Sequence, residues 1–381
     1  MKKHSINRRQ FIKSTAALTA LGLIGAGCKP KSVADVNASS IPRWRGFNLL
    51  EKFIVTSSND PFKESDFEMI AGLGFDFVRL PMSYWCWSDP KDWKKLDEKI
   101  LKDEIEFCIE SGAGGIVVPV MVSEFGALSE DERRLMVGLT VNVAAHRVPV
   151  IANCAAVNTP LAVRYAEYCQ AAGADAVIAM PPYVLVPDFD TIYTYFKAIN
   201  QAVSIPVWIQ NAGLAPLSTD QIIKLCTDLE NVSWVKEEVN PSPAAIGRLV
   251  ARNSPYVKGV MGGAGGRYLL TERARGAQGC IHACQFCDML QRIWDLLDDS
   301  QEEEAGNLFE HVLPGLVLEG LMGMAYAKEI MVRRGVFKTY RMRSQANPLN
   351  QDDMIEIDRT WRRIETYLLW QKGAGLIKKE K

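Results

Sequence analysis

Val148-Pro-Val-Ile-Ala152, a helix-patterned stretch from Thr159 to Ala172, and Asp175-Ala-Val-Ile-Ala-Met180 follow one another within about 33 residues, the span of one strand–helix–strand unit. Both short runs are dense in apolar residues and lack polar alternation, as expected of parallel strands buried on both faces. The unit recurs in both directions. Towards the C-terminus come Ile205-Pro-Val-Trp-Ile209, Val232 to Val235, Tyr256 to Met261 and Gly279 to Ala283. Towards the N-terminus comes Gly115-Ile-Val-Val-Pro-Val120. Helical patterns lie between them, at Asp131 to Ala145, Asp190 to Val203, Thr219 to Leu229 and Ala244 to Arg252. Ser129-Glu-Asp-Glu132 and Ser218-Thr-Asp220 mark two helix starts, a capping hydroxyl followed by acidic groups. A strand about every 22–33 residues suits βα units and not a sandwich.

With Phe75-Asp-Phe-Val-Arg-Leu-Pro81 as a further strand, followed by a helix from about Leu96 to Ser111, the count reaches that of an α/β TIM (β/α)8 barrel. Arg45-Gly-Phe-Asn-Leu49 would be one strand too many, and is expected to be an N-terminal cap or a barrel-bottom element. After Cys287 the chain becomes all-helical, with patterns at Met289 to Leu297, Gln301 to Leu318, Ala325 to Arg334 and Met354 to Gln371. Such a C-terminal helical extension is expected to pack beside the barrel and to contribute to a homo-oligomer, dimer or tetramer. The implied organisation is a signal over residues 1–28, a linker over 29–43, an N-terminal barrel segment over 44–100, the rest of the barrel over 101–288, and helices over 289–381.

The 381 residues are 48% hydrophobic with a formal net charge of -1, enough apolar material for a large core and no basic surplus for a nucleic-acid partner. The start is not fold material. Asn7-Arg-Arg-Gln-Phe-Ile-Lys13 precedes the apolar stretch Ala16 to Ala26, which is short for a membrane span and reads as a twin-arginine export signal. Export predicts a periplasmic location. Gly25-Ala-Gly-Cys28 is similar to a lipoprotein processing site, with Gly25 where an aliphatic residue is usual, so a lipid anchor at Cys28 and ordinary cleavage nearby both remain open. Nine cysteines in an exported chain raise disulfides, yet Cys108, Cys154, Cys169 and Cys226 fall on predicted apolar faces or strands and no pairing follows from sequence.

The residue that carries chemistry is Lys236, inside Val232-Ser-Trp-Val-Lys-Glu-Glu238. An ammonium in a buried strand is costly unless it is paired, neutralised or used, and a desolvated lysine can attack a carbonyl carbon to form an imine. A lysine at a strand edge pointing to solvent is the bland alternative.

From about Lys102 to Trp370, roughly seven tenths of the chain, the sequence resembles the dihydrodipicolinate synthase / N-acetylneuraminate lyase family of Schiff-base aldolases. The resemblance rests on Gly115-Ile-Val-Val-Pro, Leu128-Ser-Glu-Asp-Glu-Arg133, Arg147-Val-Pro-Val-Ile151, Ala172-Gly-Ala-Asp-Ala-Val177 and Met180-Pro-Pro-Tyr183. It extends through Phe196-Lys-Ala-Ile199, Asn231 to Glu237, Lys328-Glu329 and Arg333-Arg-Gly-Val336. It implies a lyase that needs no cofactor, in which Lys236 forms an imine with a small 2-oxo acid or sugar acid. Gly262-Gly-Ala-Gly-Gly266 would be the substrate-approach loop, with Gly262 and Gly263 in the site, and Ile281 would line the carboxylate site through its backbone.

The departures fall on the proton relay. Where the family carries a Gly-Thr-Thr-Gly-Glu turn, this chain has Val120-Met-Val-Ser-Glu124; the tyrosine expected near the lysine is Gln210, and a second is Val184. Proton transfers must then come from elsewhere. Tyr183 is the catalytic candidate, and Glu238 and His282 are acid/base candidates, with Glu237 also near the lysine. Glu124, Gln210 and Asn211 are candidates for substrate binding. The alternatives are a packed ring for Tyr183, a cap acceptor for Glu124 and, for the whole chain, a binding protein that keeps the pocket without the relay.

Residues 44–87 differ in character. Arg45-Gly-Phe-Asn-Leu and Leu73-Gly-Phe-Asp-Phe-Val-Arg-Leu-Pro-Met82 resemble the opening of a family 5 glycoside hydrolase, but no paired carboxylates follow at later strand ends, so the segment is expected to replace the first aldolase strand. Tyr84, Trp85, Trp87 and Trp93 read as a hydrophobic plug or an aromatic ledge. Cys280-Ile-His-Ala-Cys284-Gln-Phe-Cys287 has the cysteine spacing of radical S-adenosylmethionine enzymes, making Cys280, Cys284 and Cys287 candidate iron–sulphur ligands. Its place after the last strand, not the first, argues against that use.

Overall fold

The computed structural model describes residues 46–48, 65, 68–69, 77–79, 96–184, 187–343, 349–372 and 375–376. The export signal, Cys28, the linker and the Tyr84, Trp85, Trp87 and Trp93 group lie outside the described residues. The chain divides into two units, Met1–Lys95 and Leu96–Lys381. In the first, β1 (Gly46–Asn48) pairs in parallel with β2 (Phe77–Arg79), so the surplus strand is a strand and is the neighbour of the one expected.

The second unit opens with α1 (Glu98–Glu110), capped by the Asp97 carboxylate, which accepts from the backbone of Lys99 and Ile100. Strands and helices then alternate: β3 (Ile116–Val118), α2 (Glu130–Ala144), β4 (Val150–Asn153), α3 (Thr159–Ala171), β5 (Ala176–Ala179), α4 (Phe189–Ala202), β6 (Val207–Asn211), α5 (Thr219–Asp228), β7 (Val232–Glu237), α6 (Ser242–Ala251) and β8 (Gly259–Met261). These six strands form one parallel sheet in chain order, β3-β4-β5-β6-β7-β8. Past β8, Cys280 bridges Gly262 in parallel and continues the succession. This is an α/β TIM (β/α)8 barrel, followed by a C-terminal helical extension.

The capping patterns act as their residues dictate. Ser129 and Glu132 close a reciprocal box at the start of α2, and Ser218 and Gln221 do the same for α5. Each side-chain cap satisfies backbone donors that the first turn leaves open, and is worth about 1 kcal/mol.

Every residue of β4, β5 and β6 is buried. Outward-facing Ala152, Val177, Ala179, Val207 and Ile209 pack against α2 to α6. Inward-facing Ile151, Ile178, Trp208 and Trp234 fill the interior, where the two indoles stack with centroids 4.9 Å apart. The tryptophans sit two residues before Gln210 and Lys236. Because side chains alternate along a strand, the stack floors whatever those two residues enclose.

A short α7 (Leu269–Arg273) follows β8, and a 3-10 turn, Cys284–Phe286, leads into α8 (Cys287–Asp298). The extension continues with α9 (Glu302–Met322), α10 (Met324–Arg333) and α11 (Gln351–Ile364). The expected helix from Met354 to Gln371 stops at Ile364. Trp370–Gln371 instead forms β9, antiparallel to β10 (Gly375–Leu376), because the Leu369 and Trp370 amides donate to the buried Asp288 carboxylate at 2.8 and 2.9 Å.

Candidate active site

Lys236 lies near the C-terminal end of β7, with Gln210 of β6 and Met261 of β8 as its register partners. It is only 6% exposed, so the edge-strand alternative fails. Its Nζ stands 3.0 Å from Glu238 Oε2. The same oxygen accepts from Gln210 Nε2 at 2.8 Å, and Glu238 Oε1 accepts from the Ala264 amide at 3.3 Å. The carboxylate is therefore fixed from three directions beside the amine. Gln210 orients a group that can carry a proton, which its own amide cannot usefully exchange.

Gly262 and Gly263 make room for carboxylates of the chain itself. A Cβ on Gly263 would stand 2.4 Å from Glu238 Oε1, and one on Gly262 would stand 1.9 Å from Glu272 Oε2. Any side chain at either position would displace an acid. Beyond them Gly265 and Gly266 hold φ of 66° and 85°, values that favour glycine.

Glu272 on α7 is the group that the sequence does not reveal. It is 1% exposed, and Ser242 Oγ donates to its Oε1 at 2.6 Å. Its Oε2 has no hydrogen-bond partner among the described residues; the Gly263 amide favours the charge without the alignment of a hydrogen bond. Burial holds this carboxyl above the usual range, the Ser242 bond and the Lys236 charge acting the other way. An orphaned, desolvated carboxyl oxygen keeps a proton more readily than a solvated one. No motif marks Glu272, since Thr271-Glu-Arg273 reads as exposed helix.

Several candidates are placed differently. Asn211 and Glu237 are register partners on the face opposite Lys236, where Asn211 Nδ2 donates to Glu237 Oε2 at 2.8 Å. Asn211 also exchanges hydrogen bonds with the Leu217 backbone, so this pair ties the β6 loop and does not line the lysine's side of the sheet. The Ile281 amide donates to Gly262 O at 3.0 Å and is spent on strand pairing. His282 Nδ1 meets the Ala283 carbonyl at 2.8 Å; a carbonyl can only accept, so Nδ1 carries the proton. Burial pulls the His282 pKa down and favours the neutral ring.

Glu124, at a left-handed φ of 52°, is buried and pairs with Lys328 of α10, while its Oε1 accepts from the Arg343 amide at 2.8 Å. It anchors the extension. Tyr183 packs edge-on to Phe125 at 6.1 Å and beside Ala155, Met180 and Ala212, and burial raises its hydroxyl pKa. Arg133 lies nearby, over the Tyr165 ring at 4.0 Å and bonded to the carbonyls of Asn153 and Ala155.

The three candidate cluster ligands do not converge. Cys280 Sγ points to Gly263 O at 3.7 Å, whereas Cys284 and Cys287 point to α1. Strand alternation ends at Ala283, because Cys284 begins a 3-10 turn. Among the described residues no three His, Cys, Asp or Glu side chains are placed to hold a metal ion.

A model of the dihydrodipicolinate synthetase family matches residues 90–362, and one of the twin-arginine translocation signal matches residues 5–25. The chain belongs to the dihydrodipicolinate synthetase family. It is 26% identical to L-2-keto-3-deoxyarabonate dehydratase of Azospirillum brasilense over 285 residues, which is 73% of this chain and 92% of that one. It is 32% identical to 4-hydroxy-tetrahydrodipicolinate synthase of Bartonella quintana over 190 residues, 49% of this chain and 63% of that one. Among solved structures, dihydrodipicolinate synthase from Rhodopseudomonas palustris aligns with a TM-score of 0.66 at 25% identity, covering 71% of this chain and 92% of that one. YagE of E. coli K12, solved in complex with pyruvate, aligns with a TM-score of 0.67 at 19% identity, over 71% and 93% of the two chains, and bears on the fold alone. By their names these relatives are a dehydratase and a synthase, and the chain carries a signal for the twin-arginine route. The likeness of residues 44–87 to a glycoside hydrolase finds no support among them.

Proposed function

We propose that this chain is an exported lyase that binds a 2-oxo acid or sugar-acid-like substrate as an imine on Lys236, with Glu238 in the role that a relay tyrosine plays in its relatives. The observation that carries the proposal is the buried Lys236 Nζ held 3.0 Å from Glu238 Oε2. That distance is within reach of direct proton transfer. As the substrate carbonyl enters, Glu238 takes a proton from the ammonium and frees the amine lone pair for attack on carbon. Protonated Glu238 then returns that proton to the carbinolamine hydroxyl, which leaves as water. The resulting iminium again faces a carboxylate. Gln210 holds Glu238 in place through both states, and Glu272, whose carboxyl pKa burial raises, stands behind Gly262 as a second acid. The L-2-keto-3-deoxyarabonate dehydratase relative supports a dehydrating lyase acting on a deoxy sugar acid. Function would lie in the periplasm, with a lipid anchor at Cys28 and a homo-oligomer as further expectations.

Borohydride reduction in the presence of pyruvate and a panel of 2-keto-3-deoxy sugar acids tests the central step. A reduced adduct on the Lys236 peptide is expected for at least one compound. Absence of any adduct across the panel sinks the imine, and an adduct without turnover reassigns the chain as a binding protein.

A further inference from the structure

The turn after the last strand meets α1 through sulphur. Cys284 Sγ donates to Glu104 Oε1 at 3.2 Å, and Cys287 Sγ lies 3.9 Å from the carbonyl oxygen of Cys108. Glu104 and Cys108 are one helical turn apart on the same face of α1. Both ends of the Cys284–Cys287 turn thus address one patch of α1, where Cys108, Cys284 and Cys287 share an apolar cluster with Phe107, Met331 and Trp370. All three are free thiols here, and the Cys108 thiol meets those of both Cys284 and Cys287; of these two partners, Cys284 is the less buried and has the Glu104 carboxylate beside it. Cys108 and Cys284 are half-buried residues, unlike the buried Cys154, Cys169 and Cys226. A chain that carries a twin-arginine signal is directed to a compartment where disulfides persist.

We propose that Cys108 and Cys284 are a covalent cross-linking site, closing a disulfide between α1 and the turn that follows the last strand. Glu104 takes the Cys284 proton, and the thiolate attacks an external disulfide, such as an oxidised dithiol protein or a small-molecule disulfide. The mixed disulfide forms and the first external thiolate leaves. Cys108 sulphur then attacks Cys284 sulphur, forming the internal bond and releasing the second external thiolate. Two electrons pass to the external disulfide, and the two protein protons end on its two thiols. Cys287 also neighbours the Cys108 thiol but is buried, and in this proposal it stays reduced. The bond would tie the start of the second unit to its last barrel turn, beside the Lys328 charge that also acts on Glu104. This inference is independent of the imine chemistry.

The test uses the purified mature chain, incubated with oxidised glutathione or with dithiothreitol, alkylated in denaturant, digested and mapped by mass. The expected result is a Cys108–Cys284 linked peptide, lighter by two hydrogens, present only after oxidation. The thermal midpoint should rise on oxidation and return on reduction, and Cys287→Ser should keep both effects while Cys108→Ser and Cys284→Ser abolish them. Full alkylation of Cys108 and Cys284 after oxidation overturns the proposal, as does a link from Cys108 to Cys287. The map of the unmutated chain decides the matter even if a variant fails to fold.

Discussion

The proton bookkeeping at Lys236 turns on one oxygen. Glu238 Oε2 is shared by the Lys236 ammonium at 3.0 Å and the Gln210 amide at 2.8 Å, so the acid cannot rotate away without losing both partners. Replacing Glu238 by Gln keeps the shape and removes the proton. Turnover of the accepted substrate should fall by about 10²- to 10⁴-fold, while long incubation with borohydride still labels Lys236. Unchanged kcat would remove Glu238 from the mechanism. Glu272 makes a second claim at this scale. Burial raises its folded pKa above the ordinary 4.5, so the folded chain binds this proton more tightly than the unfolded chain. Its contribution to stability is therefore present at low pH and is lost as pH rises above 4.5 through the raised value. His282 acts in the opposite sense: its lowered folded pKa costs stability as pH falls through 6.5. Glu272→Gln should flatten the alkaline-side loss in a thermal-midpoint curve against pH and leave the His282 limb intact. An unchanged slope would show that the fold binds the Glu272 proton no more tightly than the unfolded chain does.

At the scale of elements, the pair Gly262–Gly263 decides how close the β8 loop comes to the two acids. Gly263→Ala would place a methyl 2.4 Å from Glu238 Oε1 and force the carboxylate off the amine. The expected outcome is a loss of activity of about tenfold or more with the fold retained; wild-type kcat/KM in the alanine variant would show that the loop can yield. This loop also shows what the sequence could and could not convey. β4 to β7 and the helices between them were legible because buried parallel strands are continuous apolar runs and their helices carry caps. Lys236 stood out because a charge in such a run needs a reason. The strand expected over Gly279 to Ala283 is a single bridge at Cys280, because the chain turns at Cys284 to meet α1. The glycine run was legible as a turn, but its use was not, since the acids it accommodates lie 25 residues before and 10 after in sequence, Glu238 from Gly263 and Glu272 from Gly262. Asn211 neighbours Gln210 in sequence, yet strand alternation sends it to the opposite face, where it pairs with Glu237.

Over the whole second unit, the helical extension holds the barrel mouth by buried charge. Lys328 and the Arg343 amide fix Glu124, and Arg343 Nη2 reaches Glu132 Oε1 at 2.6 Å. Deeper still, Arg334 and Asp288 pair through two bonds of 2.8 and 2.7 Å, with side chains 1% and 0% exposed. Asp288 also accepts the Leu369 and Trp370 amides, and Trp370 packs edge-on to Phe107 of α1 at 4.7 Å. The far end of this unit is thereby held by the Asp288 carboxylate and tied directly to α1, where Glu110 Oε2 accepts from Trp370 Nε1 at 2.7 Å. Breaking one side of such a pair leaves an unpaired buried charge, whereas replacing both sides removes the desolvation cost as well. Arg334→Met should therefore destabilise the protein by about 3–5 kcal/mol in denaturant unfolding. The double replacement Arg334→Met with Asp288→Leu should recover part of that loss but not all, because the Leu369 and Trp370 amides then lack their acceptor. Full recovery would mean that neither the ion pair nor the two backbone amides contribute net stability at this contact.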